Sequence, residues 1–282
     1  MRSLTVLEAC RWAEAELVEL ESPRLEAELL LCDLMNWKRH ELYLNHECDL
    51  QETCLGKYRK AVHRRMNREP IQHITKSVDF LGRSFVAGPG ALIARPETEY
   101  LTELFINELS EPEYILDVGT GSGVIAVSIA LAYPAALVIG TDVSREALIL
   151  SRRNKELFNA RNLVLIRADM IKAFRQDVRI FDGIVANLPY IPSDQIPDLE
   201  PEVRDGDPLI ALDGGDSGLE LVLSLTASAP AVLRKGGFLA LELDREQVKT
   251  VSETLEEDPL WEDVRAFSDH TGRPRVVTAR AI

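Results

Sequence analysis

The sequence predicts an α/β protein built on a mostly parallel, seven-stranded sheet that ends in an antiparallel hairpin. Three observations carry this. From about residue 97 short apolar runs alternate with helical stretches, the pattern of a parallel sheet covered on both faces. A glycine-rich loop closes the first of those runs. The last two runs are joined by only Ser268-Asp269-His270-Thr271-Gly272-Arg273-Pro274, too short for a parallel crossover.

Ahead of the sheet, residues 1–68 read as a small helical bundle. Leu4, Leu7, Ala13, Leu17 and Leu20 recur at helical spacing. Ser22-Pro23 gives an N-cap and a first-turn proline leading into Leu25, Leu29, Leu30 and Leu34. A further helix is expected from Glu52 to Met66, dense in Lys and Arg. Residues 69–96 read as a β-hairpin linker: Ile71 to Thr75, Val78 to Leu81 and Ser84 to Val86 favour strands and are broken by Gly82, Gly88 and Gly90. Residues 97–282 form the third segment. Its strands are expected at Tyr114 to Val118, Leu137 to Thr141, Leu163 to Arg167, Phe181 to Ala186, Phe238 to Leu243, Val264 to Phe267 and Arg275 to Arg280. Helices are expected at Gly123 to Tyr133 and Arg145 to Asn159.

Composition narrows the function classes. A formal charge of −14 argues against tight, sequence-independent nucleic-acid binding, which depends on Lys and Arg neutralising phosphates. No apolar run has the length of a membrane span, and the N-terminus becomes charged too early for a secretory signal, so a cytoplasmic location is expected. Cys10, Cys32, Cys48 and Cys54, with His46 and His63 nearby, match no common zinc spacing, so neither a metal nor a disulfide is expected.

The chemistry gathers at strand ends. Asp117-Val118-Gly119-Thr120-Gly121-Ser122-Gly123 ends the first strand and opens a helix, where open α/β sheets bind ligands. Its third glycine comes one residue too early for the dinucleotide fingerprint, and no phosphate-binding lysine follows. Asp142 ends the second strand about twenty residues on, where an acid can accept from ribose hydroxyls. Capping of the helix starting near Ser144 is the alternative. At the third strand's end, Asp169 and Met170 could meet an adenine ring, or form a surface turn.

Asn187-Leu188-Pro189-Tyr190 follows the fourth strand. An amide or aromatic-amine nitrogen is a poor nucleophile because its lone pair is delocalised. Two acceptors on its N–H groups can hold it in line with an electrophilic methyl. The Asn187 side-chain carbonyl and the Leu188 backbone carbonyl can be those acceptors. Pro189 stiffens the turn, and Tyr190 offers a flat face to a planar group.

The glycine loop resembles motif I of the S-adenosylmethionine enzymes. Arg68-Glu69-Pro70-Ile71-Gln72, Leu92 to Glu99, Asn187 to Ile191, Glu200 to Val203 and Ala211 to Gly215 make the whole chain resemble the HemK-type protein-(glutamine-N5) methyltransferases of peptide chain release factors. The resemblance implies a class I methyltransferase fold using S-adenosylmethionine, released as S-adenosylhomocysteine, with no metal. It implies that Gly119 to Gly123, Asp142, Asp169, Met170 and Asn187 contact the cofactor. Asn187 to Tyr190 would hold the glutamine of a Gly-Gly-Gln motif, with Asn187 and Tyr190 as catalytic residues and the N-terminal bundle docking the protein substrate. Four positions depart from the family pattern: Leu188 and Ala94 replace prolines, Met170 an aromatic and Asp244 a glycine. The acid-rich stretch from Ile191 to Gly218 is expected to form a substrate-side lid that attracts a basic loop of a protein. A ribosomal-protein glutamine methyltransferase, an adenine-N6 methyltransferase and a cofactor-binding protein without turnover remain the alternatives.

Overall fold

The structure is a computed structural model that describes residues 4–282; Met1 to Ser3, at the head of the expected helical domain, lie outside the described residues. The chain divides into two compact units, one running through Ser77 and including Pro201–Gly206, the other Val78–Glu200 with Asp207–Ile282.

The first unit is helical. It holds α1 (Val6–Glu16), α2 (Pro23–Met35), α3 (Arg39–Leu44), α4 (Glu52–Met66), α5 (Ile71–Thr75) and a short return segment, α9 (Pro201–Arg204). Thr5 and Glu8 form a capping box that starts α1, satisfying two backbone donors that the helix itself leaves open. Val6, Ala9, Ala13, Leu17, Leu30, Leu31, Leu55 and Tyr58 make the core. The leucine periodicity is only partly the buried stripe: Leu7, Leu25 and Leu29 stand at the surface, and small alanines take the contact positions where α1 and α2 pack closely. Ile71 to Thr75 is not a strand. His73 and Ile74 donate their amides to the Pro70 carbonyl at 3.0 and 3.2 Å, and the bundle core buries Ile74. Tertiary burial has overridden the β-preference of Ile and Thr. Buried Arg65 joins Glu26 of α2 and Glu202 of the return segment, at 2.6 and 3.0 Å.

The second unit opens with a hairpin of β1 (Ser77–Phe80) and β2 (Arg83–Val86). Phe80 and Phe85 enter the same core as Leu101 and Phe105, so the hairpin packs as part of this unit. Then come α6 (Pro96–Glu108), β3 (Tyr114–Val118), α7 (Val124–Ala132), β4 (Leu137–Asp142), α8 (Arg145–Leu157), β5 (Leu163–Arg167) and β6 (Phe181–Asn187). After the return segment follow α10 (Glu220–Ser228), β7 (Leu233–Glu242), α11 (Val248–Glu257), β8 (Trp261–Ser268) and β9 (Pro274–Ala281).

The strand order is β5-β4-β3-β6-β7-β9-β8. β9 is antiparallel to β7 and to β8, and the other pairings are parallel. All seven expected strands form; β7 begins earlier than expected, at Leu233, which pairs with Phe181 before an irregularity through Gly236, at φ +72°, and the register resumes at Phe238. Gly183 in β6 lets α6 lie close, since a Cβ there would fall 2.6 Å from the Phe105 ring. The order reverses between β3 and β6, so the carboxyl ends of β3 to β6 open on one crevice.

Removing Arg65 leaves Glu26 and Glu202 half-buried without their shared cation. Arg65→Met is expected to destabilise the helical unit by about 2 kcal/mol, less than a fully buried pair because both acids keep some solvent. Chemical denaturation followed by the fluorescence of Trp12 checks this; an unchanged midpoint would contradict it.

Candidate active site

Loops after β3, β4, β5 and β6 converge on a cleft of about 710 Å³, a size suited to a nucleoside-sized ligand. Gly119 and Gly121, Asp142, Asp169 and Met170, and Asn187, Leu188 and Pro189 all line it. Thr120, Ser122, Gly123 and Tyr190 do not.

The glycine loop explains the division. Gly119, Gly121 and Gly123 have φ values of +73°, +56° and +81°, in the left-handed region that favours glycine. Thr120 turns inward, and its hydroxyl donates to the Asp117 carboxylate at 2.6 Å. Asp117 is fully buried, and desolvation pushes its carboxyl up to about 7. The Ser122 carbonyl accepts from the Asn154 side chain at 2.9 Å. Thr120, Ser122 and Gly123 therefore shape the loop from behind, while Gly119 and Gly121 bare their backbone to the cleft.

Asp142 faces the cleft with a task already in hand. One carboxylate oxygen accepts from the Gly121 amide at 2.9 Å and the other from Ser144 at 2.8 Å. Burial raises its pKa, against these amide donors. Ser144, not Asp142, caps α8 by accepting from Ala147 at 3.2 Å. Each oxygen of Asp142 keeps a further lone pair for a ligand hydroxyl. Met170 adopts a left-handed backbone, φ +47°, which turns it onto the wall, whereas exposed Asp169 is paired with Lys172.

Asn187 is the best-defined polar group of the site. Its side-chain nitrogen donates to the Thr98 hydroxyl at 3.1 Å, and its side-chain oxygen has no protein partner among the described residues. Thr98 is buried, and its backbone carbonyl accepts from the hydroxyl of Thr102 one turn on. Leu188 puts its side chain into the core beneath the loop, so close that a Cβ on Gly119 would lie 3.0 Å from its Cδ2. That leaves its backbone as the part available to a ligand. Tyr190 sits beyond the cleft, its hydroxyl pushed up by burial and then by the charge of Glu242. The Tyr190 carbonyl accepts from Gln247 at 2.8 Å.

Three buried groups escape sequence reading. Asn154 of α8 donates to the Val86 and Ser122 carbonyls and accepts from the Val86 amide, at 3.0, 2.9 and 2.8 Å, joining hairpin to glycine loop. Thr98 lies within the Arg95-Pro96-Glu97-Thr98-Glu99 signature, which marked the segment but not its partner. Glu242 is the register partner of Asn187 across β6 and β7, and only the pairing reveals it. Among the described residues no group of three or more His, Cys, Asp or Glu is placed to hold a metal.

The glycine cradle, the acid at the end of β4 and the sheet order define a class I S-adenosylmethionine-dependent methyltransferase. Residues 8–75 match the family model of the PrmC N-terminal domain, and residues 85–198 that of the methyltransferase small domain. A release factor glutamine methyltransferase of Geobacter sulfurreducens is 38% identical over 249 residues, 88% of this chain and 87% of its own. That of Koribacter versatilis is 35% identical over 268 residues, 94% of each chain. The chain belongs to the release factor glutamine methyltransferase family. Among solved structures, a methyltransferase of Pyrococcus furiosus superposes with a TM-score of 0.54 at 22% identity, covering 71% of this chain and 89% of its own, a likeness of fold.

Leu188→Ala is expected to cost about 3 kcal/mol of stability through the cavity it leaves, while methyl transfer persists because the carbonyl remains. Thermal melts and turnover of the same preparation check this; loss of turnover in a folded variant would give the side chain a direct role. Asn154→Ala should weaken cofactor binding about tenfold by freeing the loop, measurable by calorimetry with S-adenosylhomocysteine. Unchanged affinity would contradict that.

Proposed function

We propose that this protein transfers a methyl group from S-adenosylmethionine to the side-chain amide nitrogen of the glutamine in the Gly-Gly-Gln motif of peptide chain release factors. The observation that carries the reading is the orientation of Asn187. With its nitrogen committed to Thr98, its oxygen is left as an acceptor at the edge of the cleft. The Leu188 carbonyl supplies the second acceptor. Two acceptors match the two N–H groups of a primary amide and hold its nitrogen in place. Exposed Leu209 and Ile210 form an apolar rim on the cleft, and Tyr190, which lies beyond it, would meet the planar group only from the substrate side.

The glycine cradle fits the cofactor. Gly119 and Gly121 expose backbone, Asp142 keeps lone pairs for the ribose hydroxyls, and Met170 gives a soft contact for adenine. When bound, S-adenosylmethionine supplies a methyl group on a positively charged sulfur. The residues of this chain need not act as a strong base at the moment of transfer; their part is to position and to exclude water. The reaction on this reading calls for no metal.

The stretch from Ile191 to Gly218 would act as a shaped wall on the substrate side. Its base is pinned by bonds from Gly214 to Ile191 and from Ser193 to Asp213, at 2.9 and 2.7 Å. The helical unit is the proposed grip on the release factor, and the cytoplasm, where translation ends, the proposed place of work. The charge of −14 favours such a protein substrate over the nucleic acid of an adenine methyltransferase.

Incubation with labelled S-adenosylmethionine and, separately, release factor, ribosomal proteins or duplex DNA should label the release factor alone. Label on DNA or a ribosomal protein, with none on release factor, would refute the proposal. Asn187→Ala should lower kcat by about a hundredfold or more, the scale of losing one positioned acceptor. Unchanged turnover would place the acceptor site elsewhere.

A further inference from the structure

Glu242 ends β7 directly opposite Asn187 in the parallel register. Its side chain is almost wholly buried, and Oε2 has no hydrogen-bond partner among the described residues. A buried carboxylate with an unpaired oxygen is costly to the fold, so its presence calls for a use. Stability alone does not supply one, because a neutral side chain of similar size would pack there at lower cost.

We propose that Glu242 is a positioning residue for methyl transfer: its carboxylate, with the Thr98 hydroxyl, takes the amide nitrogen of Asn187 and thereby keeps the Asn187 oxygen turned toward the substrate. The inference rests on the reading of Asn187 as the acceptor-site residue. An ionised carboxylate only accepts hydrogen bonds, so it can hold a nitrogen and never the oxygen of a neighbouring amide. Once protonated, it gains an O–H that can donate to the Asn187 oxygen. The amide then loses its reason to present that oxygen outward.

The surroundings make this switch accessible near neutrality. Desolvation raises the Glu242 carboxyl to about 7; the neighbouring charge of Glu97 adds to the rise, while hydrogen bonds from Thr98 and Asn187 and the charge of Arg275 oppose it. The groups that act on it are Glu97 and Thr98 from α6, Asn187 from the end of β6 and Arg275 from β9; Tyr190 lies within reach of its charge, and Asp244 beyond β7 pairs with Arg275. Tyr190 feels the same carboxylate, so both residues of the acceptor turn respond to one buried charge.

The sign for stability is opposite to that for activity. A carboxyl raised in the folded state binds more protons than it does unfolded, so its ionisation costs stability as pH rises from its ordinary range through about 7. Glu242→Gln should therefore be at least as stable as the parent at pH about 8. That makes it a usable variant.

The test measures kcat and KM against pH with purified release factor. The parent should show a kcat that rises with pH through a midpoint near 7. Glu242→Gln should lose that limb and fall about tenfold at the upper plateau, with KM little changed, since a neutral amide holds Asn187 in either orientation. Glu97→Gln should move the midpoint to lower pH, because it removes a negative neighbour. Thr98→Val should lower kcat about tenfold, and Thr98→Ser should restore it. An unaltered limb in Glu242→Gln overturns the proposal, as does an unmoved midpoint in Glu97→Gln. Should Glu242→Gln fail to fold, Thr98→Val with parental kcat overturns it alone. If the parent labels no release factor, the reading of the acceptor site fails first and this inference falls with it. A parent that labels release factor while the variants behave as parental sinks the inference alone.

Discussion

On the proposed reading, Asn187 can offer an oxygen to a substrate only because its nitrogen is held inside the protein. The hydrogen bond to Thr98, at 3.1 Å, is the contact on which the proposed acceptor site depends. A free amide could turn either end outward and would bind a substrate carbonyl as readily as a substrate N–H. The Thr98 hydroxyl could accept or donate, so on the proposal above it is the acceptor-only Glu242 carboxylate beside it that removes that ambiguity before any ligand arrives. The sheet makes this possible, because β6 runs in parallel register with β7 and delivers Asn187 beside a carboxylate, while α6 brings Thr98 over the strand end.

The same strand end also sets the cofactor loop. Leu188 points inward over Gly119, where a Cβ would fall 3.0 Å from its Cδ2, so the turn after β6 and the glycine loop pack closely together. Asp142 then ties Gly121 from β4, and Asn154 ties Ser122 and the hairpin from α8. Each tie ends a buried donor or acceptor that would otherwise be costly. The loop is preorganised by Asp142 and Leu188, which line the cleft, and by Asn154 behind it.

Much of this was legible in the sequence for a physical reason. Apolar runs between helices can satisfy their backbone only by pairing, and the short link from Ser268 to Pro274 forces the last pair to be antiparallel. Glycines at 119 and 121 and the acid at 142 stand at strand ends, where side chains meet a ligand. Other features depended on tertiary partners. Ile71 to Thr75 has β-branched residues yet is helical, because Pro70 starts a turn and the bundle buries Ile74. Leu25 and Leu29 match the helical stripe yet face outward, since alanines make the close contact. Thr98, Asn154 and Glu242 lack any local pattern, for their meaning lies in which strand or loop they meet. Leu188, which departs from the usual proline, packs its buried side chain over Gly119, a contact visible only in the fold.

The most direct measurement is a crystal structure of the protein with S-adenosylhomocysteine and a Gly-Gly-Gln peptide. The glutamine side-chain nitrogen is expected at hydrogen-bond distance, about 3 Å, from both the Asn187 side-chain oxygen and the Leu188 carbonyl, with the Asn187 nitrogen still on Thr98. A glutamine whose carbonyl instead accepts from the Asn187 nitrogen, or whose nitrogen lies away from Leu188, would contradict it.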